Sequence, residues 1–214
     1  GMPQLVSLFN ATGGGCAMLL GLVEANQMDP FATILGNKIL LIAGLITGAV
    51  ALTGSIIAER KLAGKVKDRR SKSVIFSARI LLGLMVLLPW FYFLGIIPIG
   101  FTAFMYVLAT LAMVYGVLFV LPIGGADMPV VISLLNSITG IATAFAGFVY
   151  GNKAMIAGGI FVGAAGILLT ILMCKAMNRS LMKVLAGTFK KCNTAAVEEE
   201  QDIKEISVSE TALS

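Results

Sequence analysis

Two asparagines lie inside long apolar stretches of this sequence. Asn10 and Asn136 each follow a Met-Pro pair by eight residues, about 12 Å along a helix. Ser7 and Ser133 lie three residues earlier, on the same helical face, and Ser137 adds a further hydroxyl. Such groups could form a proton-conducting chain with water, or could simply join helices through bonds of about 0.6 kcal/mol each. The residue types alone leave both interpretations open.

Asp127 precedes the second asparagine by nine residues, in the short loop 122–127. An Asp shortly before Pro129 is typical of a helix start, so its carboxylate could cap that helix. It could instead be a protonatable group at the mouth of a proton route, about 13 Å from Asn136.

A basic segment follows the last apolar stretch and contains Lys175, Asn178, Arg179 and Ser180. Basic residues beside a membrane span commonly fix its orientation. These four residues could also contact a further domain.

No catalytic, cofactor-binding or metal-binding residue is predicted in this chain. It contains no histidine, and its three cysteines do not have metal-ligand spacing. Neither Gly13-Gly14-Gly15 nor Gly124-Gly125-Ala126 belongs to a strand–turn–helix unit, so neither is a dinucleotide fingerprint. The three glycines from Gly13 favour a bend or a close helix contact.

The elements that must position these residues are membrane helices. Only 13% of the 214 residues are charged, and the mean hydropathy is +0.95. A span needs about 20 apolar residues, and helices satisfy their own backbone hydrogen bonds in lipid. The sequence therefore predicts an all-α bundle of six spans, at Met2–Val23, Lys38–Ala58, Val74–Ile97, Gly100–Leu121, Met128–Tyr150 and Lys153–Cys174.

The charge distribution predicts the orientation of the bundle. Basic residues cluster in the loop 59–73 and after the sixth span. The positive-inside rule puts both clusters, and both termini, in the cytoplasm. Lipid headgroups explain this positive charge better than nucleic acid does. Residues 1–190 are predicted to form the transmembrane domain, and the acidic segment 191–214 a flexible linker.

An internal repeat relates the first two spans to the last two. At an offset of 126 residues, Ser7 matches Ser133, Asn10 matches Asn136 and Gly14 matches Gly140. At an offset of 115, a second set of matches joins span two to span six, namely Asn37/Asn152, Lys38/Lys153, Gly44/Gly159, Gly48/Gly163 and Ala49/Ala164. An even number of spans separates the copies, which predicts a parallel repeat of the kind that transporters use around a shared site.

Two motifs carry a resemblance to a known family. The segment Ile123–Ser137, IGGADMPVVISLLNS, closely resembles the beta subunit of proton-translocating NAD(P) transhydrogenase. The segment Met173–Ser180, MCKAMNRS, is similar to the last membrane helix and hinge of that family. The opening MPQLV and Thr53-Gly54-Ser55 also fit, and the similarity spans essentially residues 1–190.

The resemblance implies a function in a larger complex. The family couples hydride transfer between NADH and NADP⁺ to proton movement through a helical membrane domain. NADP(H) and NAD(H) bind in soluble domains, one of which follows the last helix. The implied partners are that NADP(H)-binding domain and the alpha subunit(s), in a dimeric complex in the bacterial inner membrane or an equivalent membrane. Further helices are expected before Met2, and the enzyme activity is expected only of the complete complex.

The family also suggests roles for individual residues. Some members have a proton-relay histidine at the position that matches Asn10, and others have asparagine and obtain the histidine from a partner subunit. This sequence resembles the second kind. Asn10, Asn136, Asp127, Ser133 and Ser137 are then expected to line the proton pathway. The alternatives are a membrane scaffold that only packs subunits together and an unrelated small-solute transporter.

Overall fold

A computed structural model describes residues 1–27, 35–66, 72–96 and 98–178. Within these ranges the chain is all-helical and contains no strand, which confirms the predicted fold class. The predicted linker 191–214 and the hinge residues Arg179 and Ser180 lie outside them. All six long helices are long and apolar enough to cross a membrane.

The helices follow one another through short connections. They are α1 (Met2–Gln27), α2 (Leu35–Leu62), α3 (Lys72–Phe93), α4 (Phe101–Val120), α5 (Met128–Val149) and α6 (Lys153–Ala176), with a 3-10 turn at Gly125–Asp127 directly before α5. The bundle has a basic end, which contains Lys61 and Lys175, and an opposite far end.

Three predicted boundaries differ from the structure by several residues. α1 continues to Gln27, and α2 continues to Leu62, because a helix can extend beyond its apolar stretch into polar residues at the membrane surface. α3 ends earlier than predicted, at Phe93. The chain turns there through Gly95, whose φ of +74° suits glycine and ends the helix although the sequence stays apolar.

α2 lies at the centre of the bundle, where it packs against α1, α4 and α5. It is antiparallel to α1, since Ser55 contacts Asn10 while Leu45 faces Gly21. The contacts of α2 with α5 are also antiparallel, so α1 and α5 run in the same direction. α3 differs from the other helices because it packs mainly on α4. Only 6% of its most apolar stretch is buried.

Glycines allow the backbones of two helix pairs to approach closely. A Cβ at Gly14 in α1 would lie 2.8 Å from the carbonyl oxygen of Gly48 in α2. A Cβ at Gly140 in α5 would lie 2.5 Å from the backbone nitrogen of Gly163 in α6. The three consecutive glycines from Gly13 therefore let α1 approach its neighbours closely, while α1 itself stays a continuous helix.

These two contacts fall at positions related by the offsets of the predicted repeat. Gly14 and Gly140 differ by 126 residues, and Gly48 and Gly163 differ by 115. The α1–α2 and α5–α6 pairs thus make similar contacts at matched places. The repeat itself stays a prediction from the sequence.

An apolar cluster fills the basic end of the bundle. It joins the ends of α2, α4 and α6 to the start of α5 and contains Ala58, Val120, Ile123, Met128, Val130, Val131, Ile132, Leu135 and Cys174. Met128 and Ile123 are fully buried, so the connection between α4 and α5 is packed into the bundle.

The close approach of α5 and α6 can be tested with two adjacent glycines of α6. A Cβ at Gly159 would lie 2.5 Å from the backbone nitrogen of Ala144, whereas a Cβ at Gly158 meets nothing within 4 Å. Gly159→Ala should lower the stability of the purified protein by about 1–3 kcal/mol because of overpacking, roughly 2–10 °C in Tm. Gly158→Ala is the matched control, since both changes raise helix propensity equally. Equal Tm values for the two variants in thermal unfolding followed by circular dichroism would contradict the packing described here.

Candidate functional site

Asn10 forms the centre of a buried polar cluster between α1 and α2. Its side chain is 6% exposed, and its amide Nδ2 donates a hydrogen bond of 2.7 Å to Oγ of Ser55. Ser7, one turn earlier, donates a bond of 2.7 Å from Oγ to the backbone carbonyl of Ser55. Two side chains of α1 therefore converge on one residue of α2, as the spacing of Ser7 and Asn10 predicts.

The other half of the Asn10 amide has no such partner. Its carbonyl oxygen Oδ1 is buried and accepts no hydrogen bond within the described part of the chain. An unsatisfied buried acceptor costs about 1–3 kcal/mol, so it is rare and usually marks a bound water or a functional group. This oxygen can accept a hydrogen bond from a donor group, while Nδ2 donates one of its two hydrogens to Ser55.

Asn136 lies at the same level of the bundle, on α5. Gly13 and Thr139 each come one turn after an asparagine, and a Cβ at Gly13 would lie 3.1 Å from Cγ2 of Thr139. Because α1 and α5 are parallel, this contact puts Asn10 and Asn136 at a similar height in the bundle. The side chain of Asn136 is half-buried and forms no hydrogen bond to any residue that the structure describes.

Ser133 and Ser137 face α6 and not the asparagines. Ser137 donates a bond of 2.8 Å from Oγ to the carbonyl of Gly163, and Ser133 donates one of 3.2 Å to the carbonyl of Gly166. Thr170 donates from Oγ1 to the Gly166 carbonyl at 2.7 Å, and the same Oγ1 lies 3.1 Å from Oγ of Ser133. Both serines are buried, and they join the two helices.

Asp127 is buried at the basic end, with 4% of its surface exposed. It is the residue directly before α5, and Pro129 lies in the first turn of that helix, as the sequence predicts. Its side chain nevertheless makes no capping hydrogen bond, so the interpretation of this carboxylate as a helix cap is wrong. The backbone explains this, because Asp127 belongs to a 3-10 turn and its φ and ψ of −93° and 1° differ from the extended cap conformation.

The described hinge residues lie at the end of α6, apart from the asparagines. Lys175 is exposed in the last turn, where a cation interacts favourably with the helix dipole. Asn178 is exposed and adopts a positive φ of 50°, and its backbone N–H donates to the carbonyl of Lys175. This conformation ends α6.

Sequence reasoning missed two members of the polar contacts, Ser55 and Thr170. The two residues differ by 115 positions, the offset that relates α2 to α6. Each hydroxyl contacts a side chain of the other helix in its pair: Ser55 accepts a bond from Asn10 of α1, and Oγ1 of Thr170 lies 3.1 Å from Oγ of Ser133 of α5. Extending the repeat to similar residues as well as identical ones would have identified both.

A second set of polar contacts lies at the far end. Asn26 donates a bond of 3.1 Å from Nδ2 to the hydroxyl of Tyr106, which joins α1 to α4. Tyr150, just after α5, interacts with Glu24 of α1. Partial burial, followed by the Glu24 carboxylate, raises the pKa of the Tyr150 hydroxyl above its usual value. Both contacts join the far end of α1 to a neighbouring part of the bundle, α4 in one case and the end of α5 in the other.

No cluster of potential metal ligands occurs within the described ranges, and the helices there offer no strand–turn–helix unit. The arrangement can donate and accept hydrogen bonds inside an apolar bundle. It provides amide and hydroxyl groups between α1, α2 and α5, and a carboxylate at the basic end.

Six apolar helices around such buried polar contacts define an integral membrane protein of the polytopic helical class. The family model for the NAD(P) transhydrogenase beta subunit matches residues 1–214, and the chain belongs to that family. It is therefore a membrane component of the transhydrogenase type.

Curated relatives agree with the family model. The chain is 36% identical over 196 residues to the NAD(P) transhydrogenase subunit beta of Rhodospirillum rubrum, a match that covers 88% of this chain and 41% of the relative. A second protein of that name, from a defined strain of the same organism, matches with the same identity and coverage. The chain thus spans less than half the length of these relatives.

The Asn10–Ser55 bond can be tested by removing one hydroxyl. Ser55→Ala should lower the free energy of unfolding by about 1–3 kcal/mol, because the Asn10 amide then loses its partner while staying buried. Thr12→Ala is the matched control, since Thr12 is exposed and bonds only within its own helix, so its effect should be within about 0.5 kcal/mol. Thermal unfolding in detergent measures both, and a Ser55→Ala effect no larger than that of Thr12→Ala would contradict the assignment.

Proposed function

We propose that this chain forms the proton-conducting membrane domain of a proton-translocating NAD(P) transhydrogenase. The observation that carries the proposal is the buried, unsatisfied Oδ1 of Asn10, beside Ser55 and at the level of Asn136. A polar group inside a membrane span is costly, and it is a candidate functional site for that reason. Membership of the beta-subunit family supports the same conclusion.

Protons would move along a line of polar groups and water between α1, α2 and α5. Asn10, Ser55 and Asn136 would form its central part, and Asp127 its mouth at the basic end. Asn136 lies about 13 Å from Asp127 along the helix, a span that a few bridging waters can connect. Ser133 and Ser137 would contribute by fixing α5 against α6.

The titrating group belongs elsewhere in this proposal, because asparagine does not ionise. A histidine on a partner subunit would change its charge in the physiological range and donate to Oδ1 of Asn10.

The remaining steps of the reaction are assigned to other parts of the complex. NADP(H) and NAD(H) would bind in soluble domains, where hydride passes between the nicotinamides. The partners would be the alpha subunit(s) and the NADP(H)-binding domain, in a dimeric complex of the bacterial inner membrane. Lys175, Asn178, Arg179 and Ser180 would connect the helices to the NADP(H)-binding domain. Proton movement and hydride transfer would be coupled through two helix arrangements with different affinities for a proton and for that domain.

A membrane scaffold is the second candidate function. The bonds from Ser133 and Ser137 to backbone carbonyls favour it, because they pack α5 against α6 without any need for proton transfer. A scaffold would tolerate the loss of an amide that only pairs helices. The small-solute transporter, by contrast, has no observation in its favour.

Replacing the asparagines separates the two functions. In the reconstituted complete complex, Asn10→Leu and Asn136→Leu should each reduce proton pumping and coupled hydride transfer together, by about tenfold or more, because the polar line is interrupted. Asn26→Leu is the matched control, since Asn26 is an exposed asparagine of α1 outside the line. Pumping is measured by the quenching of a pH-sensitive dye in proteoliposomes, and hydride transfer by absorbance.

Two results would decide against the proton route. Wild-type rates in both asparagine variants, with the complex still assembled, would leave these residues as packing groups. An equal loss in Asn26→Leu would mean that any amide lost from α1 disturbs the fold.

We further propose that the basic end and both termini face the cytoplasm, as the basic residues there favour. A single cysteine at Lys65 should then escape a membrane-impermeant maleimide applied from the periplasmic side, whereas one at Asn152 should react. Lys65 and Asn152 are both exposed, so accessibility of the side chain does not bias the comparison. The reverse labelling pattern would show that the orientation is inverted.

A further inference from the structure

Lys61 is a buried lysine in the last turn of α2. Its side chain is 7% exposed, and Nζ donates hydrogen bonds of 2.6 Å to the carbonyl oxygens of Leu121 and Ile123. A third bond, of 3.4 Å, reaches the carbonyl of Val120. All three acceptors belong to the end of α4 and the residues directly after it.

Lys61 differs in its burial from the neighbouring basic residues at the basic end. Arg60 and Lys65 are exposed, as expected of residues that serve the orientation of a membrane protein. A buried ammonium is costly unless it is hydrogen-bonded, and a lysine has three donors to place. The carbonyls at the C-terminal end of a helix have no N–H partner within the helix and carry partial negative charge. The same contact therefore gives the Nζ donors of Lys61 their acceptors and gives the carbonyls at the end of α4 a donor.

The same contact fixes the short connection that leads into α5. Backbone bonds of 3.2 Å from Ile123 to Val120 and of 3.0 Å from Asp127 to Gly124 make it a continuous set of turns. Ile123 and Met128, on either side of Asp127, are fully buried. A connection anchored from α2 at Leu121 and Ile123 leaves little freedom for the carboxylate that follows four residues later.

We propose that Lys61 is the positioning residue for Asp127, and that it acts by fixing the α4–α5 connection to α2. The proposal rests on the function proposed above for Asp127, as the carboxylate at the mouth of the proton route. Lys61 lies six residues after Ser55, about 9 Å along α2. One helix thus carries both the partner of Asn10 and the residue that fixes the position of Asp127.

The packing of the connection can be measured without any activity assay. Cys174 is 3% exposed and packs in the same apolar cluster as Ile123 and Met128, so its thiol reports whether the connection stays in place. Cys16→Ser and Cys192→Ser leave it as the single thiol of the chain. In this background, carried in the complete complex in native membranes, the rate of alkylation by a membrane-permeant maleimide is measured for each variant.

Lys61→Met should raise the alkylation rate of Cys174 at least about tenfold, because the freed connection opens locally. Lys61→Arg retains charged donors and should keep the rate within about threefold of the parent. Lys65→Met is the matched control, since it removes the same charge from an exposed neighbouring lysine, and its rate should equal that of the parent. An unchanged rate in Lys61→Met, or an equal increase in Lys65→Met, overturns the proposal.

Proton pumping is measured on the same membranes. Lys61→Met should reduce it by about fivefold or more, because a displaced carboxylate no longer meets the polar line, and Lys61→Arg should restore at least half of the parent rate. A faster reaction of Cys174 with unchanged pumping overturns the role of Lys61 in positioning Asp127. Asp127→Asn is assayed in parallel, and unchanged pumping in that variant shows that the proposed function of Asp127, and not the contact of Lys61, has failed.

A second variant keeps the test decisive if Lys61→Met does not accumulate in the membrane. Lys61→Gln has a polar side chain that suits the carbonyl surroundings but is too short to reach all three oxygens. The same two criteria apply to it, with faster alkylation of Cys174 and reduced pumping as the supporting result. Parent-like values for both measurements overturn the proposal.

Discussion

Close approach of helix backbones is the constraint on which the rest of this structure depends. Short side chains such as serine reach a neighbouring helix only when the two backbones nearly touch. Gly14 against Gly48, and Gly140 against Gly163, bring the helices to that distance. Ser7 then reaches the carbonyl of Ser55. Larger residues in place of these glycines would separate the helices, and the polar side chains would lose their acceptors.

The sequence predicted the number, type and order of the helices because membrane spans need long apolar segments. An amide in such a segment was also expected to find a polar partner. Asn10 does so in Ser55, whereas the Asn136 side chain forms no hydrogen bond to a described residue. The boundaries were less predictable. α3 ends at a glycine turn inside an apolar segment, where hydropathy gives no signal. α2 continues past Ala58 for another turn, which propensity allows but does not require.

The candidate site was predicted only in part, for physical reasons that differ between residues. Ser133 and Ser137 were expected near the asparagines. The sequence does not say which neighbouring helix each face of α5 meets, and the two serines lie against α6. Asp127 looked like a helix cap because local sequence favours one, and the 3-10 turn removes the geometry that a cap needs. Lys61 lies in a run of basic residues, so its burial follows from tertiary packing alone.

The small contact surface of α3 has a consequence for how this sequence can change over time. Most side chains of α3, among them Phe76 and Trp90, are exposed, and of its apolar residues Met85 is the one that is buried. Selection on such a helix acts mainly on its length and hydrophobicity, since lipid chains can pack against apolar side chains of many shapes. α2 faces neighbours on several sides, so each replacement there must suit several surfaces at once. Apolar substitutions should therefore accumulate in α3, whereas selection should remove most substitutions in α2.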